Sequence, residues 1–249
     1  MAEFLDMYPE IGVAEIVAGK VDNAIPAECR VRGGTAVPVE KLQTLADAFV
    51  LLVKQQCGNA GNMRLEVAPA EVPEKVWSGN FRRQLVSALA LVPDGVLAFS
   101  EKYDVVRDSS NLATISTADG CVTVTTSQRS IIDSERDRVC DLIKEHFTLF
   151  GADAEKTSVY PATTPHDKPV LLNMALQLRK DMGLPAGIRV IHAGLESGWF
   201  SIKNPALEIV SCGPHIEDYH TPKEKVSIPA VQEFDRFLRE LLRKIALNG

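Results

Sequence analysis

What the 249-residue sequence lacks narrows it first. Its five cysteines, Cys29, Cys57, Cys121, Cys140 and Cys212, are odd in number, scattered and without a C-x-x-C pair. That argues against a disulfide framework or a zinc ribbon and leaves most of them as small buried side chains. No stretch approaches the roughly 18 consecutive apolar residues of a membrane helix, so no membrane partner is expected. Long basic runs are missing too: Lys and Arg number 27 against 33 Asp and Glu, a net charge of −6. A nucleic-acid footprint needs clustered positive charge, so nucleic acid is not an expected partner. The opening "MAEFLDMYPEIG" has neither the basic n-region nor the apolar h-region of a signal peptide. The expected compartment is cytoplasmic. Internal repeats and low-complexity tracts are also lacking.

What is present is an ordinary globular composition, 45% hydrophobic and 24% charged, enough for one large domain or two small ones with a real core. "GVAEIVAG" and "AECRVRGGTAV" are β-rich runs flanking "KVDNAIP", whose Asp-Asn and Pro supply turn chemistry. Over residues 38–56 the positions Val39, Leu42, Leu45, Ala46, Phe49, Val50 and Val53 recur at helical spacing. "MRLEVAPAEV" reads as a strand, and "FRRQLVSALALV" as a helix stopped by Pro93. In "NLATISTADGCVTVTTSQR" two alternating runs meet at Asp119-Gly120, a dipeptide that favours a tight hairpin. Asp133 or Ser134 is a candidate cap for the helix "ERDRVCDLIKEHFTLFG", which ends on Gly151. Strands and helices in this order predict an antiparallel sheet with helices on one face, an α+β layer.

The character changes at "SVYPATTPHDKP", with three prolines in twelve residues, a linker or domain crossing. Beyond it the pattern predicts a helix over 170–182, a strand "IRVIHAG", a strand "LEIVSCGP" and a helix over 229–246. Alternation of this kind points to an α/β βαβ segment. With two obvious strands it is incomplete as a doubly wound domain.

Five histidines carry the candidate chemistry. His146 sits within a helix and His166 in the linker, and both read as ordinary solvated or boundary residues. His192 ends "IRVIHAG" and enters the glycine-bracketed loop "HAGLESG"; His220 lies beyond "LEIVSCGP", and His215 leads into its loop. Ligands of open α/β sheets bind beyond the carboxyl ends of strands. His192, Glu196, His215, Glu217 and His220 therefore form a candidate metal or acid–base cluster, although none has the spacing of a self-sufficient helical zinc site. Arg129, at the end of "VTVTTSQRS", offers a fork for a carboxylate; an ion pair with Asp133 is the equal alternative. For Asn23 and Asn111 the common use is to cap turns.

Taken together, "KVDNAIP", "SQRSIIDS", "IHAGLESGWF" and "VSCGPHIEDYHTPKEKV", in this order and separation, resemble the aminoacyl-histidine dipeptidases (Xaa-His or cytosol non-specific dipeptidases). These are a branch of the aminoacylase-like two-zinc metallopeptidases, and the resemblance runs from about residue 11 to 247. It implies a catalytic α/β domain carrying two zincs, interrupted by a lid that also mediates homodimerisation. On that resemblance, residues 1–160 are a lid and dimerisation domain lacking its first elements, and 161–249 are the C-terminal segment of the catalytic domain. His220 is then a zinc ligand. Arg129 and Asn111 hold the carboxylate end of a dipeptide substrate, and Glu196 lies at the substrate pocket. His192 and Asn23, in the same motifs, complete the implied substrate-binding set. Three positions depart from the family pattern: Ser197 for a usual Cys, His215 for Thr and Lys223 for Asp.

A larger departure is an absence. The family's first half supplies a His-x-Asp segment, a bridging Asp, a Glu-Glu pair and a further Asp. In this sequence no His is followed two positions later by Asp, and no Glu-Glu dipeptide occurs. A catalytic zinc keeps three protein ligands and an open position, so one ligand, His220, is insufficient, and no general base is expected here. The chain reads as beginning inside the lid. Two functions follow: a portion of a zinc dipeptidase, with little or no activity alone, or a non-catalytic dimerising or ligand-binding module derived from that family.

Overall fold

The structure is a computed structural model and describes residues 1–57, 61–162, 169–190, 194–218 and 222–248. In chain order its elements are α1 (Ala2–Met7), β1 (Gly12–Ala18), β2 (Cys29–Gly34), α2 (Val39–Cys57), α3 (Gly79–Leu91), β3 (Gly95–Ser100), β4 (Val105–Ala118) and β5 (Cys121–Ser130). Then follow α4 (Asp133–Leu149), α5 (Val170–Asp181), α6 (Ser197–Lys203), β6 (Ile216–Glu217), β7 (Lys225–Val226) and α7 (Ile228–Asn248). Two units can be distinguished. The first comprises Met1–Phe99, Asp108–Arg129 and Ser134–Ser158; the second comprises Ser100–Arg107, Ser130–Asp133 and the chain from Val159 onward.

The first unit is built on an antiparallel sheet in the order β2-β1-β4-β3, with β5 also paired to β4. Its hairpin is the one the sequence predicts. Asp119 and Gly120 both have positive φ, +51° and +76°, as a two-residue type I′ turn requires. Alternation along β1 is interrupted between Val13 and Glu15, where the register shifts. This bulge lets Val13, Ile16 and Ala18 all be buried although the first two are three residues apart. Those side chains join Phe4 and Leu5 of α1, Ala46 and Phe49 of α2, Val86 and Leu89 of α3, and Val139, Ile143 and Phe147 of α4 in one core. The end of α4 is a Schellman cap: Ala152 N donates to Phe147 O (3.0 Å) and Gly151 N to Thr148 O (2.9 Å), with Gly151 at φ +85°.

An unanticipated element is α1, held from below by a buried cation. Arg82 on α3 donates through Nε to Ile11 O (2.9 Å) and through Nη2 to Leu5 O (2.6 Å) and Tyr8 O (3.1 Å). The guanidinium thus satisfies carbonyls at and beyond the C-terminus of a helix too short to stand alone.

"MRLEVAPAEV" is not a strand. Its backbone is met by a side chain instead: Gln43 on α2 accepts from Val67 N (2.7 Å) and donates to Leu65 O (3.0 Å). One amide thus performs the exchange that a neighbouring strand would have made.

In the second unit, α5 and α7 pack through Ala175, Leu178, Phe237 and Leu241. The N-terminus of α5, preceded by Pro169 without a side-chain cap, is capped from a distance: Glu208 Oε1 accepts from Leu171 N (2.7 Å) and Leu172 N (3.4 Å). The helices stand where predicted, but the two apolar runs read as strands do not. Residues 188–190 of "IRVIHAG" and all of "LEIVSCGP" carry no ladder among the described residues, and His192 lies outside them. An apolar run records a capacity for burial, whereas a strand also needs a neighbour that takes its backbone groups. Here Ile188 is 58% and Leu207 39% exposed. The strand pair that does form, β6 with β7, is short and antiparallel.

Candidate functional site

Two of the candidate residues converge. Asn111 lies on β4 and Arg129 on β5, and both reach the turn between β1 and β2. Asn111 Nδ2 donates to Ala24 O at 2.9 Å, and Arg129 Nη2 donates to Asn23 O at 3.3 Å. Three motifs widely separated in sequence, around Asn23, Asn111 and Arg129, thus meet within the first unit. Asn23 takes part through its backbone carbonyl.

Local structure explains how Asn111 comes to point there. Buried positions on β4 run Asp108, Ser110, then Ala113 and Ile115, so the alternation changes phase between Ser110 and Ala113. At that break the Leu112 amide donates to Asp94 Oδ1 at 2.7 Å. A phase change of this kind re-aims a side chain, the usual consequence of an irregular strand position. Beneath Arg129, Gln128 Nε2 donates to Ser110 Oγ (3.2 Å), and the Cys140 thiol donates to Gln128 Oε1 (3.6 Å). Burial raises the Cys140 thiol above its ordinary range, against the opposing pull of Lys156 and Arg136. It therefore remains a neutral donor in this brace. The signal for Gln128 was its place beside Arg129 in "SQR"; Ser110 and Asp94 gave none, because their role exists only across strands.

Arg129 and the carboxylate weighed against it have separate uses. Asp133 Oδ1 accepts from Ala162 N at 2.8 Å, a bond within the second unit. His146 is structural: its Nε2 lies 2.8 Å from the Ala88 carbonyl and its ring meets Phe147 and Phe150.

The glycines of "HAGLESG" have a packing reason. A Cβ on Gly194 would lie 2.7 Å from the Tyr160 ring, and one on Gly198 would lie 3.0 Å from Pro161 Cβ. The "YPA" segment thus lies directly on this loop, with Tyr160 also edge-on to Trp199 at 6.1 Å. Glu196 immediately precedes α6, is exposed and makes no side-chain cap. Ser197 Oγ is buried and finds no hydrogen-bond partner among the described residues.

The proposed histidine cluster is only partly visible. His166, His192 and His220 lie outside the described residues. His215 is exposed, with Nε2 3.8 Å from Glu217 Oε1, and the same carboxylate pairs with Lys225 Nζ at 2.9 Å. Among the described residues no three His, Cys, Asp or Glu side chains gather as a metal-holding group. The donor set in view does not fit a two-zinc centre.

No protein-family model matches the chain. It is 29% identical over 248 residues to the cytosol non-specific dipeptidase of Escherichia coli (strain K12), a match taking in 98% of this chain and 50% of that protein. The crystal structure of aminoacylhistidine dipeptidase from Vibrio alginolyticus matches with a TM-score of 0.82 at 30% identity, covering 98% of this chain and 51% of that one. The chain thus spans about half the length of the relatives it matches. Both comparisons bear out the resemblance read from the motifs and the fold class with it.

Proposed function

We propose, for a chain related to the aminoacylhistidine dipeptidases over about half their length, that it supplies the substrate-carboxylate grip of a metallo-dipeptidase. In this reading the first unit is the lid, and Arg129 and Asn111 hold the terminal carboxylate of a dipeptide. The second unit is a segment of the catalytic domain: His192 and Glu196 serve the substrate pocket, and His220 gives one zinc ligand. Homodimerisation through the lid and a cytoplasmic location belong to the same proposal. The observation that carries it is the convergence of Asn111 and Arg129 on two adjacent oxygen acceptors. A carboxylate presents two such oxygens, with a charge that a guanidinium binds more strongly than a neutral carbonyl.

No hydrolytic step is assigned to this chain by itself. Neither a His-x-Asp nor a Glu-Glu occurs in its 249 residues, and the described donors do not gather. Glycylglycine is expected to bind better than its C-terminal amide by NMR titration, and Arg129→Ala is expected to erase that preference. Equal binding of acid and amide by the unaltered protein would remove the grip. Near-stoichiometric zinc after dialysis, with turnover of a Xaa-His dipeptide, would show that the chain is active alone.

A second reading, a non-catalytic ligand-binding module, has one observation in its favour: the whole fork lies within a single unit. Carboxylate binding unaffected by added zinc and by His220→Ala, in a protein whose native assembly shows no hydrolysis, would select it.

A further inference from the structure

The turn that meets Arg129 and Asn111 is poorly anchored by anything else. Residues 20–25 are exposed throughout, and neither of its two larger apolar side chains enters the core: Val21 is 51% and Ile25 84% exposed. At its base the Gly19 amide donates to Glu28 O at 3.3 Å, closing the β1–β2 hairpin below the turn. Above that base, the hydrogen bonds tying it to β4 and β5 among the described residues are those from Asn111 to Ala24 O and from Arg129 to Asn23 O. The remaining guanidinium donors of Arg129 have no partner among the described residues.

We infer that the turn at residues 22–25 is an internal plug, its two neighbouring carbonyls occupying the oxygen positions that a peptide's terminal carboxylate takes when it binds. This rests on the reading of Arg129 and Asn111 as the carboxylate grip. Two neutral acceptors satisfy the donors without compensating the guanidinium charge. A carboxylate satisfies both, so it displaces the turn, and the turn is released into solvent where its carbonyls are hydrated. A ligand with a neutral, amidated C-terminus lacks that advantage and leaves the plug in place. The plug thus sharpens selection for free C-termini and keeps the grip hydrogen-bonded between ligands.

The test compares two hairpins. Because Gly19 and Glu28 already pair, residues 20–27 can be replaced by the two-residue turn Asn-Gly, which suits a β-hairpin. Relative to the parent, the shortened protein is expected to bind glycylglycine roughly tenfold more tightly, the equivalent of one to two ordinary hydrogen bonds. Unchanged, weaker or undetectable binding by a shortened protein with a normal melting transition overturns the plug. If Arg129→Ala retains the preference for acid over amide in either background, the carboxylate grip itself has failed, a separate outcome. Should the shortened hairpin not fold, the unaltered protein decides by ¹⁵N NMR. Glycylglycine is expected to shift the Ala24 and Ile25 amides together with the Asn111 side-chain amide, and glycylglycinamide none of them. Movement of the Asn111 signal with Ala24 and Ile25 unmoved overturns the plug.

Discussion

The two units reach order by different means. In the first, a sheet and the four helices α1 to α4 close one core around Leu5, Val13 and Val86. In the second, the buried cluster is Ala175, Leu178, Phe237 and Leu241, while Trp199, Phe200, Ile228 and Leu242 remain 45–74% exposed. Both have abundant apolar sequence. They differ in whether that sequence finds backbone partners as well as apolar neighbours. In the first unit irregular stretches are met by side chains such as Gln43 and Arg82, whereas Ile188 is left 58% exposed.

The sharpest way to break this comparison is at Phe237, 1% exposed in the small cluster. Phe237→Ala is expected to cost about 3–5 kcal/mol. It should remove the α5–α7 transition in calorimetry while leaving a cooperative transition for the first unit; loss of both together would show that the units do not melt separately. Next is Arg82→Ala, expected to cost about 3 kcal/mol by stranding the carbonyls of Leu5, Tyr8 and Ile11. Hydrogen exchange should rise in α1 first, whereas protected α1 amides would refute the capping role. Smaller and opposite in sign is Ser197→Ala. Removing an unpaired buried hydroxyl should stabilise the second unit by about 1 kcal/mol, and a lowered Tm would reveal a partner for Oγ.

The smallest effect is electrostatic. Asp181 is held below the ordinary carboxylate range by Gln177 and then by Lys244 of α7. A depressed folded-state pKa means a contribution present above the unfolded value and lost as pH falls through the folded one. The Tm of the α5–α7 unit should therefore fall on acidification somewhat less steeply in Asp181→Asn than in the parent. Identical acid slopes would remove this pair from the balance.

Legibility follows the same divide. The Asp119-Gly120 hairpin, the Gly151 stop and the helices over 39–57, 79–91, 170–181 and 228–248 were readable because turn chemistry and helical periodicity are local. β3, α1 and the β6–β7 pair were not read, since each depends on partners remote in sequence. "MRLEVAPAEV" carries a strand's pattern, yet Gln43 took its backbone groups, and no composition forecasts that. At the site, the residue types Asn111 and Arg129 were legible through their motifs. Their convergence on the Asn23 and Ala24 carbonyls was not, because it depends on a phase change within β4 and a neighbouring hairpin. The histidines His192 and His220 lie outside the described residues and receive no structural account.

One close approach has a mechanical consequence. A Cβ at Gly19 would fall 1.9 Å from the Ala113 carbonyl, two residues along the strand from Asn111. The pivot of the β1–β2 turn is therefore mounted on the same rail that carries one of its catches. Bending or sliding of that rail carries pivot and catch together, so their spacing survives deformation of the sheet and changes only by rotation within the turn. A side chain at Gly19 would push against the Ala113 carbonyl and so separate the two mountings.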